Sequence, residues 1–191
     1  SPLHAGLIIS AMALSAIPTS ILGGATLHRV GFLPLISGGF LLMAVGMALV
    51  VVSRGETLPL LVSALVLTGL GAGLAMSVSS TAIINAAPLH RAGMASGVEA
   101  VSYEFGTLIS IALTGTLVPL LMARELPRHL AELGTDALHH PASHAAAASA
   151  YNAGYLSTIG GLACFALLLA AITAWCFRDN PKSGDPYAAT Q

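Results

Sequence analysis

Two carboxylates, Glu99 and Glu104, stand in a stretch that is mostly apolar or small: RAGMASGVEAVSYEFGTLISIALTGTLVPLL, from Arg91 to Leu121. A helix of that length is long enough to cross a bilayer. An ionisable residue inside such a span is costly, and by default it marks an ion or substrate path. At about 1.5 Å per residue, Glu104 lies about 18 Å from Ala92, near the middle of a hydrocarbon core about 30 Å thick. Glu99 lies shallower from the same end. The chemistry open to a carboxyl group there is proton exchange. Away from water the neutral form is favoured, and a nearby cation favours the charged form. A proton and a cation therefore compete for one charge, with no covalent step.

A helical wheel at about 100° per residue sorts this stretch into three faces. Gly93, Gly97, Ala100, Glu104, Ile111 and Gly115 form a seam of small residues. Gly93 and Gly97 are a GxxxG pair, a spacing that lets a second helix approach closely. Ser96, Ser102, Tyr103, Gly106, Ser110 and Thr114 surround Glu99 on a hydroxyl-rich face. Met94, Val98, Val101, Phe105, Ile109 and Ala112 make a third face suited to lipid. Neither carboxylate points toward lipid, so the helix is expected to line something polar inside a bundle.

The whole chain has the matching character. Its 191 residues are 55% hydrophobic and only 8% charged, where soluble domains carry roughly 25% charge. It is therefore read as an integral, all-α membrane protein. All Asp, Glu, Lys and Arg residues other than Glu99 and Glu104 fall in connections or the tail. The net charge of −1 gives no reason to expect nucleic acid as a partner. Cys164 and Cys176 lie too far apart on one apolar stretch to bridge. The chain opens on SPLHAG without an initiator Met, and is expected to be the C-terminal part of a longer protein.

Five spans are expected. The first covers about Leu7–Leu27, with Pro18 kinking its middle and Ser10, Ser15, Thr19, Ser20 and Thr26 making it polar. The second, about Leu33–Val52, is nearly featureless and begins with Pro34. The third, about Leu60–Ile84, carries Gly69, Gly71 and Gly73, then Ser77, Ser79, Ser80 and Thr81. Small residues at that density imply either close helix contacts or a cavity wall, and both readings stay open. The fourth is the carboxylate span, about 92–121, which Pro119 is expected to close. Residues 123–149 read as a solvated outer connection with a short helix near Leu126–Leu138. The spacing of His140 and His144 suits a metal pair, but Pro141 breaks the helix it would need, so no metal or other cofactor is expected. The fifth span covers about Tyr151–Phe177, with Tyr151, Tyr155 and Trp175 at its interfaces. A polar tail follows, residues 178–191.

Lysine and arginine counts set the orientation. Arg29, Arg91, Arg178 and Lys182 share one side, against Arg54, Arg124 and Arg128 on the other. The larger group, and with it the C-terminus, is expected in the cytoplasm, in a multi-pass protein of the inner (plasma) membrane.

Three stretches resemble a known family. SPLHAGL (Ser1–Leu7) looks like the entry into a span of the 14-span drug:proton antiporters of the major facilitator superfamily, the quaternary-ammonium and methyl-viologen efflux type. Gly24-Ala-Thr-Leu-His28-Arg29-Val-Gly31 resembles the superfamily's G-x-x-x-D-R-x-G loop, with His28 where Asp is usual and Phe32-Leu33 in place of a basic pair. RAGMASGVEAVSYEFG (Arg91–Gly106) resembles the penultimate span, where that family carries acidic residues tied to proton and cation handling, and is the most specific of the three.

The resemblance implies that this chain supplies five helices, most of the C-terminal six-helix half of a major facilitator fold. The N-terminal half of the same transporter would be its partner. Spans one, three and four would line the central cavity, and spans two and five would sit at the periphery facing the lipid bilayer. Glu104 is then expected as the proton-exchanging carboxylate and Glu99 as a secondary group. Tyr103, Ser102, Ser110, Ser77 and Thr19 are expected to line the substrate cavity, Gly24, His28, Arg29 and Gly31 to form the loop motif, and Gly93 and Gly97 to pack against a helix. The implied function is proton-coupled export of small lipophilic or quaternary ammonium cations. Alternatives are transport of another metabolite on the same fold, or a membrane fragment that only packs against partners. An enzyme is not expected, because the spans hold no HExxH, no His–Asp cluster and no nucleophile motif.

Overall fold

The computed structural model describes residues 2–54, 57–126, 134–138 and 144–178. Among them there are five long helices and no strand: α1 (Pro2–Val30), α2 (Phe32–Ser53), α3 (Leu58–Ala86), α4 (Ala92–Glu125) and α5 (His144–Arg178). Single 3-10 turns cover Leu89–Arg91 and Gly134–Leu138. All five helices are long and apolar enough to cross a membrane, and the chain is a multi-pass membrane protein. Each helix contains the apolar stretch read from the sequence and runs on into the flanking polar residues. Pro119, expected to close the fourth span, instead lies inside α4, which continues to Glu125. A proline removes only one helical hydrogen bond, and a membrane helix tolerates that loss. Pro18 lies inside α1 in the same way.

The chain divides into two compact units, residues 1–100 with 162–191, and residues 101–161. In the first unit α3 packs along both α1 and α2, while α1 and α2 barely touch each other. The sequence GLGAG explains how one helix serves two neighbours. Residues two apart on a helix lie about 160° apart, and residues four apart only about 40°. Gly69 and Gly73 accordingly face α1, and Gly71 faces α2. A Cβ on Gly69 would meet the Met12 carbonyl and the Ser15 hydroxyl, and one on Gly71 would stand 2.6 Å from the Met43 amide nitrogen. On the α2 side, Gly46 lies against Thr68 and Gly39 against Ala75. Small residues at these points let the backbones come within reach of one another. That closeness is what holds helices together where lipid removes any hydrophobic drive between them.

Hydroxyls reinforce the α1–α3 seam. The Ser15 hydroxyl donates to the Val66 carbonyl at 3.0 Å and the Ser20 hydroxyl to the Gly73 carbonyl at 3.3 Å. From the other side, the Ser77 hydroxyl donates to the Ser20 carbonyl at 2.9 Å. Ser15 and Ser20 also have acceptors within α1, the Met12 carbonyl at 2.7 Å and the Ala16 carbonyl at 2.8 Å, so each shares one proton between its own helix and α3.

In the second unit the end of α4, the Gly134–Leu138 turn and the start of α5 share an apolar core. Met122, Leu126, Ala137, Ala147 and Ala150 are all buried in it, with Leu138 packed alongside. Gly154 admits α4 closely, since a Cβ there would stand 2.9 Å from the Met122 nitrogen and 3.0 Å from the Val118 carbonyl oxygen. The connection between the fourth and fifth spans, read from the sequence as solvated, therefore contributes at least one fully buried residue, Ala137 at 0% exposure. The histidines His139 and His140 lie outside the described residues.

Candidate functional site

α4 carries both carboxylates on one continuous helix. Its interior lacks strong breakers apart from Pro119, and the 3-10 turn at Leu89–Arg91 leads directly into it. Glu99 is buried, with 9% of its surface exposed, while Glu104 is exposed. By sequence Glu104 is the deeper of the two, lies on the small-residue seam and matches the resembled family's acidic position. Their surroundings differ in a second way that depth does not reveal.

Around Glu104 the helix presents an open surface. Gly93, Gly97, Gly106 and Gly115 have nothing within 4 Å of where a Cβ would stand. The GxxxG seam on α4 therefore has no neighbour among the described residues. Ser102 and Tyr103 lie one turn from Glu99, both on the exposed surface. The Ser110 hydroxyl donates to the Gly106 carbonyl at 2.8 Å and the Thr107 hydroxyl to the Tyr103 carbonyl at 2.9 Å. Both bonds fold back on the same helix, where each hydroxyl keeps its acceptor lone pairs.

The other two residues assigned to a cavity, Thr19 and Ser77, meet at the α1–α3 seam. The Thr19 hydroxyl donates to the Ala16 carbonyl at 3.1 Å, and the Ser77 hydroxyl donates to α1 as described. Their present bonds join helix to helix or helix to itself. Ser15, Ser20 and Gly69, which sequence reasoning did not single out as a group, complete that seam. The signal was available in the matching four-residue spacings of Ser15 and Thr19 on α1 and Gly69 and Gly73 on α3, which meet in pairs.

The motif running from Gly24 to Gly31 is helical for all but its last residue. His28 and Arg29 are exposed in the final turn of α1, where the positive charge of Arg29 complements the helix dipole. Gly31 alone links α1 to α2. Its φ of 85° and ψ of 167° fall in a region that essentially only glycine occupies. Its N–H donates to the Leu27 carbonyl at 2.9 Å, which closes the last turn of α1.

One cleft of about 340 Å³ opens between the first turns of α1 and α3, lined by Leu7, Ile8, Ala11, Leu58 and Val62. It has no polar group with which to orient a ligand. Among the described residues, α4 is the helix that carries two carboxylates, Glu99 and Glu104, within its apolar body.

Comparison with known proteins places the chain in a family. The family model described as the Major Facilitator Superfamily matches residues 1–127. The Multidrug resistance protein Stp of Mycobacterium tuberculosis is similar to this chain in strain CDC 1551 / Oshkosh and in strain ATCC 25618 / H37Rv. Each is 28% identical over 130 residues. The match covers 68% of this chain and 24% of the relative, so the chain spans about a quarter of the length of the curated relatives it matches. No solved structure matches it.

Proposed function

Since this chain belongs to the major facilitator superfamily, we propose that it forms five helices of the C-terminal half of a proton-coupled multidrug exporter. The cargo is small lipophilic or quaternary ammonium cations, and the parent is of the 14-span type. The observation that carries this reading is the pair of carboxylates in the apolar body of α4. A structural helix gains nothing from two acids in one span, whereas an antiporter needs a group for which proton and cation compete. The name of the relatives, a multidrug resistance protein, supports a drug exporter.

Glu104 is the proton-exchanging group in this proposal and Glu99 the secondary one. The exchanging group must be reached by a proton from each side in turn, and the exposure of Glu104 on this half leaves it reachable from the opposite half. Glu99, buried on its own half, suits a role in attracting the cation or positioning the helix. The N-terminal half of the parent is the necessary partner, because alternating access requires two halves rocking around one site. The protein sits in the inner membrane with its C-terminus in the cytoplasm.

The test uses the full-length parent in proteoliposomes under an imposed pH gradient, with methyl viologen as the cation. Glu104→Gln abolishes gradient-driven movement at unchanged protein level, and Glu99→Gln leaves partial coupling with altered cation preference. Normal pumping by Glu104→Gln together with loss in Glu99→Gln would reverse the assignment. Full activity in both would remove the proposal.

A further inference from the structure

The end of α4 lies in an apolar cluster: Met122 at 1% exposure, Ala137 and Ala147 at 0%, with Leu126 and Ala150 buried beside them. Apolar clustering drives association only where water is the alternative environment. The length of α4 puts its end in such a place. Its 34 residues extend about 51 Å, against about 30 Å of hydrocarbon and about 45 Å including headgroups. Arg91 and Arg124, at opposite ends of the stretch, are both charged and exposed, so each sits at or beyond an interface. Met122 and Leu126 bracket Arg124 and share its depth.

From this we infer that the Gly134–Leu138 turn is a water-side clasp that fastens the end of α4 to the start of α5. Ala137 fills the space between the two helices, and Leu138 packs against the same cluster. Gly154 lets the helices close on one another just below, at Val118 and Met122. Thr158, buried one turn further on, returns its hydroxyl to the Gly154 carbonyl at 2.9 Å and adds no polar demand to the contact. Helices joined by a hydrophobic core at one end and a backbone contact beneath it move as one body. The outer end of the pathway then opens by displacing the α4–α5 pair together. The inference rests on the membrane-spanning, transporter reading and needs nothing of the cargo or the proton.

The experiment uses the full-length parent in nanodiscs. Hydrogen exchange is followed at residues 118–126 and 144–154 in the wild type and in two variants. Ala137→Asp puts a charge into the filled space, and Met122→Ala empties the cluster without adding one. Spin labels at Arg124→Cys and Ser149→Cys, on a background with Cys164 and Cys176 replaced by Ser, report the gap between the helices. In the intact clasp both segments are protected and the labels give one distance. Either variant raises exchange at least tenfold in both segments and broadens the distance distribution. Exchange and distances unchanged in both variants would overturn the clasp. So would a shift of about 5 Å, one helical turn, between pH 5.5 and pH 8 in the labelled protein with the clasp intact. Methyl viologen transport, measured separately, decides the cargo proposal without bearing on this result.

Discussion

Replacing Gly73 by Ala should unseat α1 from α3. The new Cβ would press against the Ala16 carbonyl, and would stand 2.7 Å from the Thr19 hydroxyl and 2.8 Å from the Ala16 Cα. Backbone atoms are among these neighbours, so a rotamer change cannot relieve the crowding and α1 must shift. Overpacking of this kind costs about 1–3 kcal/mol. The shift also stretches the two hydroxyl bonds at this level, Ser20 to Gly73 and Ser77 to Ser20. Interhelical bonds in membranes average roughly 0.6 kcal/mol each. Against that, Ala is favoured over Gly in a helix by about 1 kcal/mol. The net expectation is a loss of about 1–3 kcal/mol. The assay is the folded fraction of the purified full-length parent in mixed micelles of rising SDS content. Gly106→Ala is the control, since it adds the same methyl where nothing lies within 4 Å, and it should leave the midpoint unchanged or raise it. A Gly73→Ala protein as stable as the Gly106→Ala protein would refute the close packing of α1 on α3.

Gly31→Ala forces an L side chain into a glycine-only conformation and should lower stability by about 1–3 kcal/mol in the same titration. A Cβ at Gly97 has nothing within 4 Å among the described residues, so a loss of folded yield for Gly97→Leu in the full-length parent, relative to Val98→Leu, is expected to report a helix supplied by the rest of the protein. Equal tolerance of the two would mean that the seam faces lipid. Cysteines placed at Arg91 and at Gly134 should react with a membrane-impermeant maleimide from opposite faces of the cell. Reaction of both from outside would overturn the orientation.

The five helices were legible because each apolar run is bounded by charge or proline, as between Val52 and Leu60. The faces of those helices were less legible. In a soluble protein the buried stripe of a helix is its apolar one, but here lipid and protein interior are both apolar. The small residues of α3 fitted a cavity wall as well as a contact. Only the structure shows Gly69 and Gly73 closed on α1 and Gly71 closed on α2. The depth of Glu104 could be counted along the sequence, whereas the burial of Glu99 depends on tertiary neighbours. The burial of Ala137 had no local signal at all, since an alanine in a polar connection reads as solvated until the helices that enclose it are in place.

The single-residue link at Gly31 bears on how the chain reaches the membrane. With one residue between a helix of 29 and a helix of 22, there is no hydrophilic segment to hold α1 at the translocation channel while α2 is being made. The two must partition into the bilayer as a helical hairpin. Yet the arms of that hairpin hardly touch, so the inserted pair has little to fix its spread. The groove between the arms is completed by α3, which arrives after a second turn through Arg54, itself in a left-handed conformation. Assembly of this region is therefore sequential, with a loose hairpin waiting for the third helix to wedge it. A substitution that weakens α3 at Gly69 or Gly71 should lengthen the life of the open hairpin and expose it to membrane quality-control proteases before the fold is complete.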